Sequence, residues 1–159
     1  MPVRKLLVLA VGCLATAIVV TAAPGCGSSG KPAAIPATGK VMFKKTVPAV
    51  TALVVFHPVD PNFEKTIGGK PFGKVKDDGT FALTTFAEGD GAPEGEYGVT
   101  IDWRGNPKDG KGPKLSLTTE GGGPSGPSAI QPKYGDPTKP FTKVTVKKGQ
   151  PNDFAFDVD

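Results

Sequence analysis

The stretch from Phe72 to Trp103 constrains the fold most, because it reads as three consecutive antiparallel strands separated by recognisable turns. Phe81, Leu83 and Thr85 recur at period two, as do Tyr97, Val99, Ile101 and Trp103, the alternation of strands with one buried face. The first turn can be read to the residue. A two-residue loop at Asp78-Gly79 pairs Val75 with Ala82 and sets Phe81 and Leu83 on the face of Lys74 and Lys76, which wastes the apolar side. A three-residue loop, Asp77-Asp78-Gly79, with Gly79 left-handed as a bulge, pairs Val75 with Phe81 and Gly73 with Leu83. The bulged turn is therefore expected.

The N-terminus speaks to location. Arg4 and Lys5 precede eighteen apolar or small residues, Leu6 to Ala23, and then Pro24-Gly25-Cys26-Gly27-Ser28-Ser29-Gly30. A basic start, an apolar stretch and small residues at its exit form an export signal. Ordinary signal cleavage between Ala23 and Pro24 is disfavoured by the proline. Ala23-Pro24-Gly25-Cys26, followed by a Gly/Ser segment, instead resembles the bacterial lipoprotein signal, which implies a signal peptide over 1–25 and lipidation of Cys26. An uncleaved anchor is the alternative, since eighteen residues at about 1.5 Å each just span a bilayer of roughly 30 Å. In both cases the domain faces outside the cytoplasm. The other cysteine, Cys13, lies within the apolar run, so stability is expected from a core and not from disulfides. Without Arg4 and Lys5 the chain has 17 basic residues against 15 acidic, and the two signs are interleaved, which gives nucleic-acid binding no support.

Residues 26–37 are rich in glycine, serine and proline and read as a tether, with the domain spanning 38–159. Val41 and Phe43 mark a first strand, Lys44-Lys45 its turn, and Ala49 to His57 a central strand apolar on both faces, stopped by Pro58 and Pro61. Asp60 to Lys70 is expected to be a solvated loop. His57, the single histidine, is read as structural. Glu88, Asp90, Glu94 and Glu96 lie in a loop where a calcium site is conceivable, but turn formation and edge solubility account for them; no metal or cofactor is assigned. Residues 104–140 hold eight glycines and seven prolines, so they read as an insertion in which only Lys114 to Thr119 resembles a strand. Two strands close the chain, Phe141–Lys147 and Phe154–Val158, joined by a turn at Gly149 and expected to form a hairpin. About seven strands and no convincing soluble helix mean an all-β chain, an antiparallel β-sandwich with Greek-key connections.

Thr38-Gly39-Lys40-Val41, Val47-Pro48 with Ala52 to Phe56, Asp77 to Leu83, and Pro93-Glu94-Gly95-Glu96-Tyr97 follow one another in an order that resembles the carboxypeptidase regulatory-like, transthyretin-like domain. With Tyr134-Gly135-Asp136-Pro137 and the closing strands, the chain looks like small bacterial surface lipoproteins built from one such domain. The resemblance implies an Ig-like sandwich and roles in adhesion, envelope assembly or ligand binding. Hydrolases and dioxygenases of related fold use several histidines, or two histidines with two tyrosines, whereas this chain has one histidine. Catalysis is therefore not expected. The leading expectation is a membrane-anchored module that contacts envelope proteins. The alternative is a carbohydrate or small-ligand binder stacking its ligand on Trp103 and Tyr134, although alternation sets Trp103 on the core face.

Overall fold

The computed structural model describes residues 30–104 and 128–159, so the leader, Cys26 and the strand expected at 114–119 lie outside the described residues. The chain is an all-β sandwich. One sheet holds β2 (Thr38–Phe43) between β10 (Asp153–Val158) on one side and β6 (Thr80–Ala82) with β3 (Val47–Pro48) on the other. The second runs in the order β5 (Phe72–Lys74), β4 (Leu53–Pro58), β8 (Gly95–Asp102), β9 (Thr142–Val146). A small ribbon pairs β1 (Ala34–Ile35) with β7 (Ala92–Pro93). Val41, Phe81, Phe156 and Val158 from the first sheet meet Val54, Phe56, Val99, Ile101 and Val146 from the second in a single buried cluster. Phe56 sits among aromatic rings, 5.8 Å from Tyr97, 5.5 Å from Phe154 and 6.5 Å from Phe156 between centroids.

The Phe72 to Leu83 hairpin has the expected register. Phe72 lies opposite Thr84, and Lys76 N–H donates to the Thr80 carbonyl at 2.7 Å, the same alignment that sets Val75 against Phe81. Gly79 has φ 85°, its N–H closes on the Lys76 carbonyl at 3.0 Å, and Asp78 accepts from the Thr80 N–H and hydroxyl. The two arms nevertheless join different sheets, β5 pairing with β4 and β6 with β2. Gly73 stands where they cross: a Cβ there would lie 2.7 Å from the Ala82 carbonyl oxygen. Gly79→Val is expected to destabilise the fold by at least about 1–2 kcal/mol, the cost of a left-handed L-residue. The added Cβ would also press on Met42 and Pro48. An unchanged denaturation midpoint would contradict the turn.

The Pro93 to Tyr97 corner explains the start of β8. Tyr97 is fully buried and its hydroxyl donates to the Pro93 carbonyl at 2.7 Å, fastening the strand to the segment before it as in the tyrosine corner of Greek-key sandwiches. Burial pushes the phenol pKa far above its ordinary value, so the proton that makes this bond stays in place.

Several expectations are corrected. The closing strands do not pair with each other: β9 pairs with β8, and β10 runs parallel to β2. The buried Asn152 is the reason, because its side chain takes the Lys147 N–H at 2.9 Å and donates to the Lys147 and Gln150 carbonyls. The turn is thereby satisfied internally and its arms are free to separate. Asp60 to Lys70 is not a loop but carries α1 (Pro61–Ile67), with Asp60 capping Asn62 N–H, Pro61 in the first turn and Gly68 left-handed at the end. Those are ordinary helix boundaries. The central strand begins at Leu53, since Ala49 to Ala52 forms a turn with Thr51 at φ 69°. Lys44 and Lys45 also adopt positive φ, so the first turn is left-handed without glycine. The expected tether is folded at its end, where Ala34 and Ile35 pair with β7 and Ala37 is buried. Part of the expected insertion belongs to the fold: Ala129 N–H donates to the Trp103 carbonyl, Ile130 is buried, and Pro132–Tyr134 forms a 3-10 turn.

Candidate functional site

The residues singled out for chemistry are scattered. His57 lies on the sheet face opposite the main core, its Nε2 2.7 Å from the Thr100 hydroxyl. Burial, aided by Lys70 and opposed by Glu64, lowers its pKa, so the ring is neutral at neutral pH and acts as a hydrogen-bond partner. Trp103 is fully buried, with Nε1 donating to the Val50 carbonyl at 2.8 Å and its ring 5.6 Å from Phe43. Tyr134 is 7% exposed, packed edge-on against Phe141 at 5.2 Å, and its hydroxyl donates to the Asp159 carboxylate. Neither ring offers a free face for stacking. Glu94 accepts from the Lys148 N–H, and Glu96 lies 3.8 Å from Lys143 on the surface, so these carboxylates serve neighbouring strands.

What the fold does assemble is an open groove of about 1040 Å³ along the seam where β5 and β6 part, with Thr51, Phe72, Lys74, Lys76, Ala82 and Phe86 among its lining. Phe72 is 48% exposed and Phe86 is 40% exposed, so two of the three exposed large hydrophobics among the described residues line this groove. Lys31 Nζ sits 5.4 Å from the centre of the Phe86 ring, within cation-π range. Lys74 and Lys76 are balanced by Asp77, Asp78 and Glu88 along the same walls.

Asp90 holds this surface in shape. Its carboxylate accepts the N–H groups of Thr85, Phe86 and Ala87 at 2.8, 3.0 and 2.9 Å, so Phe86 projects from a fixed loop. Partial burial works to raise the Asp90 pKa, but the backbone donors outweigh it and hold the carboxyl below its ordinary value. The folded state thus gains from the ionised form at neutral pH, and the gain is lost as pH falls through the lowered value. Both Asp90 oxygens are thus committed to backbone donors of its own loop. Asp90→Ala is expected to cost about 1–2 kcal/mol, the range for hydrogen bonds to a charged group discounted for exposure. Faster amide exchange at Thr85 to Ala87 should accompany it; unchanged exchange would contradict this role.

Comparison with protein-family models, curated proteins and solved structures found no match. The transthyretin-like resemblance therefore rests on its own residues. Sequence reasoning missed Phe72 and Phe86, although a signal was present. Phe72 shares its parity with Lys74 and Lys76, and Phe86 falls out of phase with Phe81 and Leu83, so both aromatics break the apolar-inside pattern.

Proposed function

We propose that this chain is an exported protein held on a membrane by a lipid at Cys26, whose sandwich has a structural or protein-contact role in the cell envelope without catalysis. The observation that carries this reading is the short interval between Cys26 and the fold: seven residues, 27–33, precede β1. Fully extended, they span roughly 25–30 Å, so a lipid on Cys26 would keep the domain beside the bilayer. The basic and apolar leader before Cys26 supports export, and the likeness to surface lipoproteins supports a contact role. Function by contact fits the groove, which offers exposed aromatics and balanced charge.

The test is fractionation of cells producing the wild type and Cys26→Ser. The wild type is expected in the membrane fraction, released by detergent but not by salt, and the variant to lose that association or to accumulate unprocessed. Wild-type protein in the cytoplasm would refute export, and salt-released wild type would refute lipid anchoring.

A further inference from the structure

Membrane attachment at Cys26 would bring one end of the sandwich close to lipid, and that end is the one with exposed apolar side chains. β1 and β7, the start of β2, the end of β6 and the start of β8 all lie there: Ala34 faces Pro93, Thr38 faces Ala82, and Pro58 at the end of β4 faces Tyr97. Val59 directly follows Pro58, and Phe86 comes two residues after Thr84, which lies opposite Phe72. Of the three exposed large hydrophobics among the described residues, Phe72 and Phe86 share one groove, and Val59 extends the end of β4 that lies toward the chain's entry. The opposite end carries the Lys44-Lys45 turn, Asp77-Asp78, Arg104 and Asp159.

We propose that this end of the sandwich rests on the bilayer that holds Cys26, with Phe86 and Phe72 inserted at the level of the lipid headgroups; the proposal rests on the lipid-anchor reading above. Reach is the first argument. Cys26 and Lys31 are five residues apart, at most roughly 18 Å of extended chain, and Lys31 lies over the Phe86 ring. With the lysine stem and the 5.4 Å to the ring added, Phe86 is still within reach of the bilayer that holds Cys26. A tether this short also holds the patch at a high effective concentration against the bilayer, so a small apolar contact suffices.

Side-chain chemistry is the second argument. Phenylalanine is among the side chains that surface-lying segments bury at the headgroup boundary, and lysine stems reach along it with the ammonium in water, the arrangement Lys31 and Phe86 already have. The Asp90 bonds fix the loop in advance, so inserting Phe86 requires little further ordering. Glu88 beside Phe86 offsets Lys31, so apolar insertion rather than attraction to anionic lipid drives the contact, and it should survive high salt.

The experiment uses full-length lipidated protein in phosphatidylcholine vesicles, its lipid confirmed by intact mass. A spin label is attached at Glu88→Cys or, as a control at the far end, at Thr46→Cys. Collisions with oxygen, which concentrates in the bilayer, are compared with those of a water-soluble nickel chelate. The label at position 88 is expected to favour oxygen and the one at 46 the chelate, with the difference unchanged in high salt. Phe72→Ser combined with Phe86→Ser should shift position 88 to water-like values while the lipid mass is retained. Chelate access at 88 equal to that at 46, with lipid present, would overturn the proposal. Shielding of 88 from both reagents would overturn it in favour of a protein partner, and a mass without lipid would refute the anchor itself.

Discussion

Trp103→Ala is expected to lower the unfolding free energy by about 3–5 kcal/mol, the range for removing a large aromatic from a packed core. Trp103 is fully buried against Phe43, and its N–H satisfies the Val50 carbonyl. Its own carbonyl accepts the Ala129 N–H, so the same residue fastens the segment that returns from the insertion. Trp103→Phe separates the contributions: it keeps most of the volume but leaves the Val50 carbonyl unpaired, and should cost about 1–3 kcal/mol. A loss below about 1 kcal/mol for the alanine variant would place the ring outside the core.

Gly39→Ala tests the most unusual pairing in the fold. β10 runs parallel to β2 with Phe154 facing Gly39, and a Cβ on Gly39 would lie 2.2 Å from the Phe154 carbonyl oxygen and 2.6 Å from the Phe81 ring. A backbone carbonyl cannot swing aside as the end of a side chain can. The loss should therefore exceed the usual overpacking range of about 1–3 kcal/mol, with amide protection lost along β10. Gly69→Ala is the control, since nothing lies within 4 Å of its added Cβ, and its effect should stay within about 0.5 kcal/mol. Equal stabilities for the two variants would contradict the parallel pairing.

Facing was legible in the sequence and lateral partnership was not. Period two identified the inward residues of β8, and parity between Val75 and Phe81 identified the bulged turn, because a slip by one residue would turn an apolar face to water. No such local rule says which sheet each arm of a turn will join. β5 and β6 cross closely at Gly73 yet pair with different sheets, and the bonds of Asn152 close the turn between β9 and β10 without pairing those strands. The helix was hidden by its shortness, although Asp60-Pro61 and Gly68 mark its ends. Alternation also placed Trp103 on the core face. The cover that Ala129 and Ile130 bring to the end of its strand comes from across the insertion and leaves no local signal.

The central claim is the lipid on Cys26, and the most direct measurement is the intact mass of the protein purified from its native membrane, beside that of Cys26→Ser. Anchoring predicts the mass of residues 26–159 plus a diacylglyceride and any further acyl chain, with the lipid increment lost in the variant. A mass that retains Met1 and carries no lipid would contradict it, leaving the apolar leader as the membrane anchor and Cys26 without a role.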